Sequence, residues 1–562
     1  MFPDLNKGLP QNFGRLDRDV RKKIADELER RKPEWMKPYF PPYYYFKPCA
    51  IDVLIVTDGS LNFGLGGFGL SEFISTFDLL ENNPLLTTSY RITLAHRGAE
   101  NMLGIDPNNH GYSLVTKVIS NFKFDTSVNL NVYEQVWMFG IQSAPSITDA
   151  EVAAIDKYMN EGGGVFATGD HGSLGKAMGG KITRIKDMRL WDDTSSDNNL
   201  NEVAMNGPRR NDTNRPRSGE PVSVRFNNQS DNIPQTILTH LIDGAPHYLL
   251  SIPTSLRSSG IIDILPDHPH EGQCGAERTF AVAHPTSGVH TNIRSQIIAH
   301  NIVFAGSHVE ANAKQQTTGH IFPSISVFDG RPGGVGRIVV DATWHHFVNI
   351  NLNGSGSGIA DPALAGLSDS DWRVVQQYYM NISRWISRPR IWKCWKKWIV
   401  VKLIYNSQLI EASLNHPHLK LDEIPLEDLR SIGLLAKELI GNEFSPVAAE
   451  EFMNESIEET LPELSADVNK WFAVETRRKS TKEDFYFPWI DYSNLIGTAV
   501  GAALVAVRDE LGTDPSKITE KQMEKVNDIF DRGIAIGSGK ALDSFRKTMS
   551  KLNKSHFSMK AQ

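Results

Sequence analysis

Behind the apolar run 165–168 the chain reads Gly169-Asp170-His171-Gly172-Ser173. A strand that breaks this sharply holds one side chain up into the cleft beyond its carboxyl end, and hydrolases that use such an elbow present their nucleophile there. Here the displayed residue is His171. Imidazole titrates near neutral pH and suits general acid or base work. The chain therefore either uses imidazole chemistry at this point or has no nucleophilic catalysis there; His171 filling the turn as a structural side chain is the alternative.

Two further sets carry the same residue types. Asp341-Ala342-Thr343-Trp344-His345-His346 ends the apolar run 337–341. Asp341 and at least one of the histidines are expected to reach the elbow's crevice. The catalytic set is then Asp170, His171, Asp341 and His345: one histidine as general base, one aspartate orienting it. Gly172, Trp344 and His346 would line the substrate pocket, unless both histidines are purely structural. Asp267-His268-Pro269-His270-Glu271 places four potential ligands within five positions. Pro266 and Pro269 hold this segment extended, so His268 and His270 project to one side. Asp267, His268, His270 and Glu271 would hold a divalent ion, Zn, Fe or Mn, although the spacing is not a strong zinc signature. A solvated polar loop is the plain alternative.

Asp58 ends the first apolar run and opens a glycine-rich loop, in which Asp58 and Asn62 are candidate substrate contacts and the loop itself a mobile binding element. Gly64-Leu65-Gly66-Gly67-Phe68-Gly69 has the letters of a dinucleotide fingerprint, but the glycines begin well after the strand and the second strand ends in His96-Arg97 with no ribose-binding carboxylate. Gly537-Ser538-Gly539-Lys540-Ala541 fails as a phosphate loop: Gly533 sits one position early, Ala541 replaces the metal-binding hydroxyl, and no strand precedes it. No nucleotide cofactor is expected.

The elements that must position these residues form an α/β pattern. Continuous apolar runs at 51–57, 90–95, 136–140 and 165–168 read as strands, with helices over 70–80, 112–122 and 148–161. Strands without in-and-out alternation, separated by helices, imply a doubly wound, mostly parallel sheet of flavodoxin-like type, whose ligand crevice lies at the carboxyl ends of the strands. Thr148 with Glu151 makes a capping box, and Gly162-Gly163-Gly164 stops that helix. Further strands are expected at 261–265, 279–283, 302–305 and 337–341. The organisation is an N-terminal arm over 1–48, an α/β domain over 49–352 with a polar insertion at about 192–235, a linker over 353–368 and a helical region over 369–562. In that region Gly497 and Gly501 allow two helices to approach closely.

The run 136–140, the capped helix ending in Gly162-Gly163-Gly164-Val165, and Gly169-Asp170-His171 together resemble the class I glutamine amidotransferase-like superfamily, in particular its ThuA-like branch, which tends to show Gly-x-His at the elbow. The resemblance covers about residues 50–350. It implies a hydrolase-like enzyme on a small polar, carbohydrate-like substrate. Amidotransferases proper place Cys where His171 stands, and Cys274 lies in another segment, so glutaminase activity is not carried over.

Composition bounds the partners. The chain has 562 residues, 40% apolar and 22% charged, with a formal charge of -7, which gives no global attraction to nucleic acid or anionic lipid. Trp385, Trp392, Trp395 and Trp398 alternate with Arg388, Arg390, Lys393, Lys396 and Lys397. This reads as an amphipathic helix whose tryptophans dock on the α/β domain while the lysine stems snorkel; a lipid or single-stranded nucleic acid surface is the lesser reading. Three scattered cysteines, Cys49, Cys274 and Cys394, argue against a disulfide framework and fit a reducing cytoplasm. No run reaches the roughly 20 apolar residues of a membrane span. The expected partners are a small-molecule ligand and further copies of the chain, with no nucleic acid. A non-catalytic ligand-binding sensor or scaffold, with the helical region mediating partnership or oligomerisation, is the competing expectation.

Overall fold

The computed structural model describes residues 48–81, 85–105, 112–170, 173–191, 234–242, 244–266, 272–303, 320–355, 367–413, 420–461 and 492–560. They form two compact units, the first made of those within 49–83 and 88–392 and the second of those from 393 onward together with those at 48 and within 84–87.

The first unit is built on one large sheet. Its strands are β1 (Cys49–Thr57), β2 (Thr88–His96), β3 (Val115–Ile119), β4 (Gln135–Phe139), β5 (Gly164–Thr168), β6 (Pro234–Thr239), β9 (Ile264–Pro266), β12 (Gln296–Val303), β13 (His320–Phe328) and β14 (Ile338–Asp341); β7 (Leu241–Ile242) pairs with β8 (Ala245–Pro246), and β10 (Thr279–Ala283) with β11 (His290–Arg294). The large sheet runs β3-β2-β1-β4-β5-β14-β13-β12-β6-β9. From β3 to β14 every pairing is parallel. Beyond β14 every pairing is antiparallel. The sheet is thus α/β and mixed, and it departs from the expected flavodoxin-like pattern by this antiparallel wing and by the edge strand β3. The sequence expects a helix over 112–122. Instead the β-branched Val115, Thr116, Val118 and Ile119 take the strand conformation that suits their stiff side chains.

Both faces of the parallel part are covered, which is why its strands read as unbroken apolar runs. On one face, α1 (Ser71–Glu81) sets Phe73 at 5.0 to 5.5 Å from the rings of Trp137, Phe139, Phe347 and Tyr379. On the other, Leu54, Val56, Val165, Ala167 and Val340 pack with Ile155, Tyr158 and Met159 of α2 (Asp149–Asn160). The capping box is present: Thr148 Oγ1 accepts from Glu151 N at 3.2 Å, and the Glu151 carboxylate accepts from Thr148 N at 3.0 Å. Gly162, at φ +85°, turns the chain back into β5.

The sequence closes this unit at 352. The structure carries it to Trp392 and includes α3 (Asp369–Ile386), which buries Val374, Val375, Tyr378, Tyr379, Ile382, Trp385 and Ile386. α4 (Pro389–Ile404) crosses the boundary.

In the second unit, α5 (Leu426–Glu443), α6 (Pro446–Thr460), α7 (Tyr492–Leu511) and α8 (Val526–Lys560) form a helical bundle. Lys396 is buried there, with Nζ 2.5 Å from Glu459 and 3.0 Å from Asp531. Trp395 and Trp398 are buried too. Within the first unit Arg390 pairs with Glu134, and Arg388 donates to Asn131 at 3.1 Å. Lys396, Trp395 and Trp398 are therefore buried, while Arg390 and Lys393 stay exposed and Arg388 and Lys397 are half-buried. Residues 537–541 lie within α8, so no phosphate loop exists there. Cys49 and Cys394 are disulfide-bonded, and Cys274 is a buried free thiol. An odd cysteine count therefore coexists with a disulfide, and the cysteine-based reason for a reducing, cytoplasmic compartment is lost. Among the described residues no helix is long and apolar enough to cross a membrane.

Candidate active site at the carboxyl ends of β5 and β14

Register decides what meets here. β5 and β14 pair in parallel with Thr168 beside Asp341, so Asp170 and Asp341 emerge at the ends of neighbouring strands. The elbow is built on glycine contacts: a Cβ on Gly140 would sit 2.9 Å from Gly175 Cα, and one on Gly175 would sit 2.7 Å from Gly169 Cα. The 3-10 turn Trp344–His346 is tied onto it by Trp344 N donating to Gly169 O at 2.9 Å.

Thr343 joins the two carboxylates. Its hydroxyl donates to Asp170 Oδ1 at 2.9 Å, its N–H donates to Asp341 Oδ1 at 3.2 Å, and its Oγ1 accepts from His345 N at 3.1 Å. Each adjacent histidine then takes its own aspartate. His346 Nδ1 lies 2.8 Å from Asp341 Oδ1 and 3.0 Å from Oδ2. An ionised carboxylate can only accept, so Nδ1 carries a proton and donates it to Asp341. Asp341 Oδ2 also accepts from Tyr378 at 2.8 Å. Burial and the Asp341 charge push the Tyr378 hydroxyl well above its ordinary pKa, which keeps it a donor. The Tyr379 hydroxyl donates to His346 O.

His345 is held differently. Nδ1 lies 2.8 Å from Asn351 Oδ1, and Nε2 lies 3.5 Å from Asp170 Oδ2. Its two ring nitrogens thus face an amide oxygen on one side and a carboxylate on the other. Beneath the pair, the buried Arg189 guanidinium donates to Asp170 O at 2.5 Å and to Ala342 O at 2.7 Å, and lies 4.8 Å from the Trp191 ring centroid.

Asp58 occupies a second position. The chain runs from β1 outward to β2 and β3 and then returns to β4 on the other side of β1, so the strand order reverses between β1 and β4, where doubly wound sheets bind ligands. Asp58 Oδ1 accepts from Ile141 N at 2.6 Å and Gln142 N at 3.0 Å. Its Oδ2 is buried without a hydrogen-bond partner among the described residues. Burial, outweighing those two N–H groups and Arg97, raises its pKa to about 6. Beside it, His96 Nδ1 accepts from Gly98 N at 2.7 Å, leaving Nε2–H to donate to Gly59 O at 3.2 Å. Burial lowers the His96 pKa and keeps this ring neutral.

The glycine loop is tied by hydrogen bonds to the segment at Asn349. Asn349 Nδ2 donates to Gly64 O and Gly66 O, both at 3.0 Å, and Asn349 N donates to Gly69 O at 2.9 Å. Asn62 is engaged in its own turn, accepting from Gly64 N at 2.8 Å and donating to Ser60 O at 3.1 Å.

The structure thus joins Asp170, Asp341, Trp344, His345 and His346. Asp58 stands two strands from β5, roughly 10 Å by strand spacing. His171, Gly172, Asp267, His268, His270 and Glu271 lie outside the described residues. Gly272 is described, and a Cβ on it would collide with the Ala342 carbonyl. Among the described residues no group of three or more His, Cys, Asp or Glu could hold a metal ion. Thr343, Asn351, Tyr378, Tyr379 and Arg189 escape sequence reasoning. The adjacent Tyr378 and Tyr379, inside the helical region expected over 369–562, were the available signal.

Comparison of the chain with protein-family models, with curated proteins and with solved structures returns no match.

Proposed function

We propose that the protein is a hydrolase-like enzyme acting on a small polar substrate, with acid and base supplied by the two Asp–His pairs at the ends of β5 and β14. One observation carries this reading: two adjacent histidines, each engaged at Nδ1 and each facing its own carboxylate. His346, oriented by Asp341, offers Nε2 as the base. His345, held between Asn351 and Asp170, supplies the proton. A base and an acid held side by side are what proton transfer in hydrolysis requires. Asp58 takes a polar group of the substrate. A divalent ion held by Asp267, His268, His270 and Glu271 would activate water. The amidotransferase-like resemblance contributes only the carbohydrate-like substrate class; without a Cys in the position of His171, glutaminase activity forms no part of the proposal.

The competing reading is a ligand-binding sensor or scaffold. It is favoured by the burial of His346, 1% exposed, and Asp341, 0% exposed, in a network that satisfies itself. Hydrolysis of p-nitrophenyl glycosides, phosphates and esters by the wild type, His345→Gln and Asp170→Asn separates the two. Turnover of at least one class, falling about 10²- to 10⁴-fold in kcat in both variants with unchanged circular dichroism, supports the enzyme. No turnover of any class, with or without added Zn, Fe or Mn, favours the sensor.

A further inference from the structure

Phe68 and Leu65 are large apolar side chains left 41% and 59% exposed on the glycine loop. Single exposed apolar residues are ordinary. These two differ because their backbone is held: Asn349 ties down the carbonyls of Gly64, Gly66 and Gly69, Ile350 N donates to Gly67 O at 2.9 Å, and Asn349 Oδ1 in turn accepts from Ser71 Oγ at 3.2 Å and Glu72 N at 3.1 Å. From Phe68 a ladder of rings runs inward. Its ring meets Trp344 edge-on at 5.4 Å, Trp344 lies 4.2 Å from the His345 ring, and His345 Nε2 faces Asp170 at 3.5 Å.

Building on the enzyme reading above, we propose that Phe68, with Leu65 beside it, is the specificity platform of this site and stacks on a flat apolar face of the substrate, either an aryl ring or the C–H face of a pyranose. A ring presented on a tethered loop has little conformational freedom left to lose when a ligand docks. Aromatic faces of this kind reward stacked or edge-on partners specifically. The outermost rung is a partly exposed aromatic and the innermost is the acid pair, so a substrate resting its ring on Phe68 would be placed beside the His345 and Asp170 side.

Saturation-transfer NMR measures binding without requiring turnover. The probes are phenyl β-D-glucopyranoside, methyl β-D-glucopyranoside and benzyl alcohol, titrated against wild type, Phe68→Ala and Phe68→Trp. Binding of at least one probe to wild type, weakened about tenfold in Phe68→Ala, restored in Phe68→Trp and accompanied by unchanged melting temperatures, is the expected result. Preference for benzyl alcohol or for the methyl glycoside identifies the aryl or the sugar face as the ligand. Equal affinity of wild type and Phe68→Ala, or no binding of any probe by wild type, overturns the platform. If the platform result holds while the wild type hydrolyses no chromogenic substrate, the hydrolase reading falls and the platform stands. If hydrolysis occurs with a KM that Phe68→Ala leaves unchanged, the platform falls and the hydrolase stands.

Discussion

A carboxylate with one oxygen gripped and the other buried alone carries a measurable electrostatic penalty, and Asp58 is in that state. Its folded pKa of about 6 lies above its ordinary value of 3.8. The sign follows from linkage. The folded state binds the proton more tightly, so its contribution to stability is fully present below about pH 4 and is lost as pH rises through about 6. A shift of about two units corresponds to roughly 3 kcal/mol. Asp58→Asn keeps an amide oxygen for the Ile141 and Gln142 N–H groups and removes the charge. Denaturant unfolding at pH 4 and pH 7 should show variant and wild type alike at the acid end, with the variant the more stable by up to about 3 kcal/mol at pH 7. A difference that does not change with pH would assign the effect to packing. Asp58 was legible from the sequence as a polar residue ending an apolar run. Its pairing was not, because the two N–H groups belong to a strand end more than 80 residues away.

Elements were legible wherever local chemistry decides them. Thr148, Glu151 and the three glycines after them set both ends of α2, and each acts within a few residues. The segment 112–122 was misread because its state is set by pairing with β2, which local periodicity does not report. The helical unit gives the same lesson through its glycines. A Cβ on Gly433 would collide with Gly497 O, one on Gly501 with Leu429 O, and ones on Gly533 and Gly537 with Ala503 and Ala499, so α7 is gripped on one side by α5 and on the other by α8. The sequence allows close approach at Gly497 and Gly501, but the purpose of Gly533 and Gly537 depends on which helix crosses them. Gly501→Ala must push backbones apart and should destabilise this unit by about 1–3 kcal/mol. Gly539 has nothing within 4 Å of its Cβ position on the same long helix, so Gly539→Ala should be neutral or stabilising by up to about 1 kcal/mol. Urea titrations followed at 222 nm check both. Destabilisation by Gly501→Ala without destabilisation by Gly539→Ala supports the crossing, whereas stabilisation by both substitutions would mean that α5 and α7 are not in contact at Gly501.

For the whole molecule, the decisive departure from the sequence is where the α/β unit ends. A glycine-serine run after Asn353 reads as a linker, and composition alone places the boundary there. Tertiary burial overrides it: α3, which follows, seals one face of the sheet and supplies Tyr378 to Asp341 and Tyr379 to His346. Asn381 of the same helix donates to the carbonyls of Tyr248, Leu249 and Ser251. Burying Val374, Val375, Ile382, Trp385 and Ile386 at about 1.5–3 kcal/mol each is worth on the order of 10 kcal/mol, as much as a typical domain's entire stability. A chain that stops at Leu352 should therefore lose cooperative unfolding and the near-ultraviolet dichroism of its packed aromatics. One that stops at Ser387 should keep both. Tyr378→Phe in the full chain isolates the single hydrogen bond to the Asp341 carboxylate from the rest of the helix and should cost about 1.5–3 kcal/mol. If the shorter fragment unfolds as sharply as the longer one, the sheet closes without α3, and the tyrosine support of the Asp341–His346 pair is dispensable to the fold.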